Sequence, residues 1–114
     1  MFFKGVEKEK DVERAICDWL SAKGYFFYKS PSAGYYDASR GRFRKHTSPY
    51  VLNGTPDLIV IFKGRYIGLE IKSAKGRLSP AQQDFSLMCQ KNGGIYAVCR
   101  SVEDVVSLFV ALGA

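Results

Sequence analysis

The sequence predicts an α/β domain whose elements run α-β-β-β-α-β-α. Three observations point there: apolar residues at helical spacing near the start, two apolar strands joined by a Gly-X turn, and a Ser-Pro helix start followed by another short apolar run. With 114 residues, 46% hydrophobic and 25% charged, the chain is one globular domain, residues 1–114, built on a single core.

The elements follow in order. From Glu7 to Lys23, Val12, Ile16, Trp19 and Leu20 recur at helical spacing, and Gly24 is a natural stop. "YFFYKS", Tyr25 to Ser30, is aromatic-rich and short and reads as a strand. Ser30 to Gly54 is a long irregular segment rich in Pro, Gly, Ser and Asn, and connections of that length are usually functional or mobile. "DLIVIF" and "RYIGLEIKS" flank Gly64-Arg65, expected to form a two-residue type II′ turn between antiparallel strands. In "LSPAQQDFSLMCQKNGG", Ser79 is the expected N-cap, Pro80 the first helical residue, Phe85, Leu87, Met88 and Cys89 the apolar positions, and Gly93-Gly94 the terminator. "IYAVCR" reads as a buried strand, and "SVEDVVSLFVALG" as a last amphipathic helix capped by Ser101.

Seventeen Lys and Arg against eleven Asp and Glu give a net charge of +6, which favours a polyanionic partner. Three scattered cysteines, without a CxxC pair and with a single histidine, make a poor zinc site and read as thiols. The opening "MFFKGVEKEKD" lacks the apolar run of a signal peptide and no segment approaches a membrane span, so a cytoplasmic protein without membrane contact is expected. With one histidine and no G-x-S-x-G elbow, serine or cysteine nucleophilic catalysis has no support, and no Walker-type phosphate loop is present.

Chemistry concentrates in "NGTPDLIVIFKGRYIGLEIKSAKG". Side chains two apart in a strand share a face, so Glu70 and Lys72 point away from the side of Leu69 and Ile71. A Gly64-Arg65 turn pairs Lys63 with Tyr66, Ile59 with Glu70 and Asp57 with Lys72, which brings Asp57, Glu70 and Lys72 together on one face. A three-residue loop would instead shift the pairing by one and turn Asp57 away. Two carboxylates so placed repel unless a cation lies between them, and oxygen ligands suit Mg²⁺ or Mn²⁺, which lowers the pKa of coordinated water for attack on a phosphodiester. Lys72 would stabilise developing charge there. The competing reading is a solvated strand face carrying ordinary surface charges.

Glu9 and Glu13 lie four apart, on the same side of the first helix as Val12, Ile16 and Leu20. They either flank the core and reach water or a lysine, or supply a third carboxylate to the pair. In the long segment Lys29, Arg40, Arg42, Arg44 and Lys45 are interleaved with Tyr35, Tyr36, Phe43 and His46, a mixture that suits phosphates and unpaired bases; a solvated hairpin is the plainer reading. Lys63, Lys75 and Arg77 would extend this basic surface. His46 reads as an incidental loop histidine.

With Glu13, Gly54-Thr55-Pro56-Asp57 and Glu70-Ile71-Lys72 in that order, the chain resembles the PD-(D/E)xK nuclease superfamily, and within it the small stand-alone VRR-NUC (virus-type replication-repair nuclease) domains of phages and bacteria. The carrying stretches are "VERAICDWLSAKGYFFYKS", "NGTPDLIVIF", "GLEIKSAKGRLSPAQQDF" and "SVEDV", which together span most of the chain. In its "VERAI" context it is also similar to the archaeal-type Holliday junction resolvases.

The resemblance implies a restriction-endonuclease-like α/β core, a mixed central sheet flanked by helices, with an additional C-terminal helix. It implies a divalent metal held by Asp57, Glu70 and the backbone carbonyl of Ile71, with Glu13 or Glu9 as the first-helix acid and Lys72 as the catalytic lysine. Gln82 matches a glutamine thought to assist such sites, although Ser79 and Gln82 also have capping-box spacing, and one side chain is expected to serve only one role at a time. The implied activity is Mg²⁺- or Mn²⁺-dependent hydrolysis of DNA, selective for branched substrates such as Holliday junctions and carried out by a homodimer in a bacterial or phage-infected cell. A catalytically silent DNA-binding module, and a nuclease for RNA or other DNA, are the alternatives.

Overall fold

The computed structural model describes residues 9–31, 35–37, 42–44 and 48–114, the strands at 35–37 and 42–44 through their backbone. Helix α1 (Glu9–Ala22) leads into β1 (Phe26–Lys29). A small hairpin of β2 (Tyr35–Asp37) and β3 (Arg42–Arg44) follows within the long segment, then β4 (Leu58–Phe62), β5 (Arg65–Ile71), α2 (Pro80–Lys91), β6 (Ile95–Cys99) and α3 (Val102–Ala111). The α/β order read from the sequence is the observed one, with the β2–β3 pair added where an irregular loop was expected.

The main sheet is mixed, in the order β1-β4-β5-β6, antiparallel except for the parallel pair β5–β6. Helices α1 and α3 pack together over one face, where Val12, Ile16, Leu20, Val105 and Phe109 meet Leu58, Val60, Ile67, Leu69 and Ile71 in the buried core. An aromatic cluster closes one end of it: Tyr25 lies 5.1 Å from Phe109 and 5.2 Å from Phe62, ring centre to ring centre. Helix α2 packs against β6.

Helix α2 departs from its sequence reading in one respect. Leu87 and Met88, two of its four apolar positions, are exposed, and no α2 residue is fully buried. The helix is held by its cap and by partial contacts such as Phe85 against Tyr96, 5.9 Å between ring centres. No helix among the described residues is long and apolar enough to cross a membrane.

The turn between β4 and β5 is the second departure. Phe62 pairs with Arg65, so the turn residues are Lys63 and Gly64, with φ of 52° and 76°, the left-handed values of a type I′ turn. The ladder is therefore displaced by two residues from the Gly64-Arg65 expectation. Leu58 faces Leu69, and continuing the register sets Asp57 across from Glu70, not Lys72. A displacement of two preserves the face of every side chain, so the convergence survives the wrong turn.

Candidate active site

The site lies at the end of the β4–β5 hairpin away from its turn. Asp57 stands one residue before β4, where the end of β1 holds its segment: Ser30 N–H donates to the Asp57 carbonyl at 2.9 Å, and Ser30 Oγ donates to Thr55 Oγ1 at 3.1 Å. Two glycines allow the close packing around it. Gly54, at φ 76°, lies so near the first turn of α2 that an added Cβ would fall 2.3 Å from the Ala81 carbonyl oxygen. Gly68 leaves room for Pro56, whose Cγ would lie 2.6 Å from such an atom. The Gly-Thr-Pro-Asp segment is thus wedged between β5 and α2.

Asp57 Oδ2 accepts a 2.7 Å hydrogen bond from the Ile71 amide. Ile71, expected to contribute its carbonyl, meets the carboxylate through its N–H. Glu70 is only 3% exposed, so the reading of a solvated strand face does not hold. Its Oε2 accepts from Gln82 Nε2 at 3.2 Å and its Oε1 from the Tyr96 hydroxyl at 3.3 Å. Lys72, its side chain 16% exposed, places Nζ 4.0 Å from Glu70 Oε2. Burial first, then the negative charge and hydrogen bonding of neighbouring Asp57, push the Glu70 carboxyl up to about 8, with Lys72 and Tyr96 opposing. Burial also raises the Tyr96 phenol above its usual range, reinforced by the Glu70 charge, which leaves it a permanent hydrogen-bond donor.

Gln82 performs both of the roles expected to exclude each other. Its Oε1 accepts from Ser79 N–H at 2.9 Å and its own N–H donates to Ser79 Oγ at 3.2 Å, completing a capping box, while Nε2 reaches Glu70. An amide has an acceptor at one end and donors at the other, so it serves both ends at once.

The acids of α1 go elsewhere. Glu13 Oε2 pairs with Lys29 Nζ at 2.8 Å, a bond that holds the lysine above its usual pKa. Glu9 Oε1 accepts from Ser73 N–H at 3.2 Å, one residue beyond Lys72. Among the described residues no three His, Cys, Asp or Glu side chains gather at metal-binding distance, so neither glutamate joins Asp57 and Glu70.

Lys75 and Arg77 are exposed on the connection from β5 to α2, beside the site. Lys63 is not beside it: six residues of strand, about 20 Å, separate it from Asp57, and its Nζ donates to the Gly113 carbonyl at 2.9 Å. Tyr35, Tyr36, Arg42 and Arg44 lie on the β2–β3 hairpin, where Tyr35 pairs with Arg44 and Tyr36 with Phe43 in the backbone register. Arg40, Lys45 and His46 fall outside the described residues.

Sequence reasoning missed two residues here. Tyr96 reaches Glu70 from β6 because the parallel ladder sets it opposite Gly68, two residues from Glu70 on the same face. Arg100 follows β6, and its Nη1 donates to the carbonyls of Ser73 and Gly76, the latter at 2.9 Å, bracing the backbone after Lys72. No local signal marks either residue, since both depend on where β6 docks.

The arrangement sets a buried carboxylate, Glu70, beside a half-buried one, Asp57, with the Lys72 ammonium at their edge. Oxygen donors of this kind fit a hard divalent cation, which would offset the burial and the Asp57 charge that together lift Glu70.

Comparison with known proteins agrees with the fold. A solved structure described as a VRR_NUC domain superimposes with a TM-score of 0.62 at 24% identity, covering 89% of this chain and 92% of its own. Another, described as a VRR_NUC domain protein, gives a TM-score of 0.69 at 22% identity over 91% of this chain and 86% of its own. No curated protein matches. The VRR-NUC domain family model matches residues 7–103, which takes in α1, the Gly-Thr-Pro-Asp segment, the β4–β5 hairpin, α2 and β6. The chain therefore belongs to the VRR-NUC family of nuclease-type domains.

Proposed function

We propose that this protein is a divalent-metal-dependent DNA endonuclease that cuts branched DNA, four-way junctions first among them, and that it works as a homodimer presenting two sites to one substrate. One observation carries the metal reading: the buried Glu70 carboxyl sits beside the half-buried Asp57, and burial together with the Asp57 charge pushes it up to about 8, with Lys72 Nζ 4.0 Å from its Oε2. Asp57 and Glu70 would hold Mg²⁺ or Mn²⁺. A cation held there supplies Lewis acidity, lowering the pKa of water and countering charge on phosphate oxygens.

The chain's own residues do the rest. The Ile71 amide fixes one Asp57 oxygen, and Gln82 and Tyr96 fix the two oxygens of Glu70. Lys72 presents a half-buried positive charge at the edge of the pair, where it stabilises charge developing on the phosphoryl group. Lys75 and Arg77, with the arginines of the β2–β3 hairpin, neutralise backbone phosphates, and the hairpin tyrosines stack on bases freed at a branch point. Glu13, paired with Lys29, acts as a structural acid in this reading.

The test is cleavage of labelled four-way junction, flap and linear duplex DNA in Mg²⁺, Mn²⁺ or EDTA, with Glu70→Gln as control and sedimentation to establish subunit number. Metal-dependent cutting that prefers the junction and disappears in the control supports the proposal. Tight binding without cutting in any metal would make the domain a binding module.

A further inference from the structure

Glu70 is fixed from two directions by two elements that meet only in the folded chain. Gln82 reaches Oε2 from the first turn of α2, and Tyr96 reaches Oε1 from β6. Tyr96 stands opposite Gly68 in the parallel ladder, which makes Glu70, two residues further along β5, its diagonal neighbour on the same face. Its ring is seated against Phe85 of α2, 5.9 Å between centres. A hydroxyl held on a packed ring of a half-buried strand is a donor with little freedom.

We propose that Tyr96 is a positioning residue for Glu70: its hydroxyl fixes the rotation of the carboxylate, so that Glu70 and Asp57 present a preformed oxygen pair to a divalent cation. This deepens the metal-dependent reading above and rests on it. Partners that orient a ligating side chain usually change metal affinity by ten- to a hundredfold when removed, although they never touch the metal. Gln82 alone constrains one oxygen and leaves the carboxylate free to turn about that bond. The second donor removes this freedom.

Tyr96→Phe deletes the hydroxyl and keeps the ring against Phe85. Mn²⁺ binding to the DNA-free protein is measured by titration calorimetry for the parent, Tyr96→Phe, Glu70→Gln and Tyr66→Phe, together with thermal melting in EDTA and cleavage against Mn²⁺ concentration. Tyr66→Phe controls for loss of a half-buried phenol on the same face of β5. The expected result is Mn²⁺ affinity lowered roughly tenfold in Tyr96→Phe, unchanged in Tyr66→Phe and lost in Glu70→Gln. Melting in EDTA stays near the parent value, and saturating Mn²⁺ restores most of the Tyr96→Phe turnover, which a general packing defect would not allow. Parent-like Mn²⁺ affinity in Tyr96→Phe, with Glu70→Gln defective, overturns the positioning role and leaves the metal site standing. A folded parent that takes up no Mn²⁺ overturns both.

Discussion

Gln82 donates from Nε2 to Glu70 Oε2 at 3.2 Å while its Oε1 accepts from the backbone N–H of Ser79 at 2.9 Å. One amide therefore ties Glu70, the buried acid among the described residues, to the first turn of α2. Its two roles are separable by substitution. Gln82→Ala loses both and is expected to destabilise the fold by about 1 kcal/mol as well as slow cleavage. Gln82→Glu keeps an acceptor for Ser79 N–H but removes the donor to Glu70, so it should melt close to the parent at mildly acid pH and still lose at least tenfold in cleavage. Thermal melts and cleavage rates on both variants decide it; full activity in Gln82→Glu would leave only the capping role.

Stability without added metal should depend on pH through Glu70. Its carboxyl titrates near 8 in the fold against about 4.5 when unfolded, so between those values the folded state holds more protons and stability declines as pH rises. The decline is on the order of a few kcal/mol. Chemical denaturation in EDTA from pH 5 to 8 measures it. Glu70→Gln should flatten the slope, and a slope unchanged by that substitution would place the linkage elsewhere.

Metal uptake at pH 7 should expel a proton. Because Glu70 is mostly protonated there and must ionise to ligate, nearly one proton per site is expected to leave on Mn²⁺ binding. Calorimetry in two buffers of different ionisation enthalpy counts it, and the count should fall toward zero at pH 9.

Asp57→Asn preserves an acceptor for the Ile71 amide and should fold while losing cleavage. Lys72→Ala should lose about a hundredfold or more in cleavage yet retain DNA affinity, since it acts on developing charge. Arg42→Ala and Arg44→Ala should do the reverse, each lowering the slope of log affinity against log salt by about 1. Binding and cleavage measured in the same salt separate the two classes.

Gly68→Ala tests the wedge that seats Asp57. The added methyl would meet Pro56 at 2.6 Å and displace the residue preceding Asp57, with an expected cost of about 1–3 kcal/mol and a loss of cleavage exceeding that of the stability change. Cleavage retained at the parent rate would mean that the hydrogen bonds from Ser30 and Ile71 place Asp57 without the Pro56 wedge.

Much of this molecule was legible because its signals are local. The apolar period of α1, the Ser79-Pro80 start and capping box of α2, the Ser101 cap of α3, and the apolar runs of β4 to β6 each depend on residues within one or two turns or a few pleats. The convergence of Asp57 with Glu70 was legible for the same reason, since strand parity survives a turn misplaced by two residues. Chain order alone carried the resemblance, Gly54-Thr55-Pro56-Asp57 followed by Glu70-Ile71-Lys72, and the VRR-NUC family model spans both stretches.

The tertiary structure decided what depends on distance across the chain. The parallel docking of β6 on β5 brings Tyr96 to Glu70 and Arg100 to the backbone after Lys72, and no short-range rule fixes that register. Helix α1 carries Glu13 to Lys29 and Glu9 to Ser73 instead of to the carboxylate pair, because the helix periodicity sets which side they share but not how far along the sheet that side lies. Burial itself is the largest such effect. Whether Glu70 was a surface charge or a strained acid could not be read from its neighbours in sequence, because its environment is built by α2, β6 and the Gly-Thr-Pro-Asp segment closing over it.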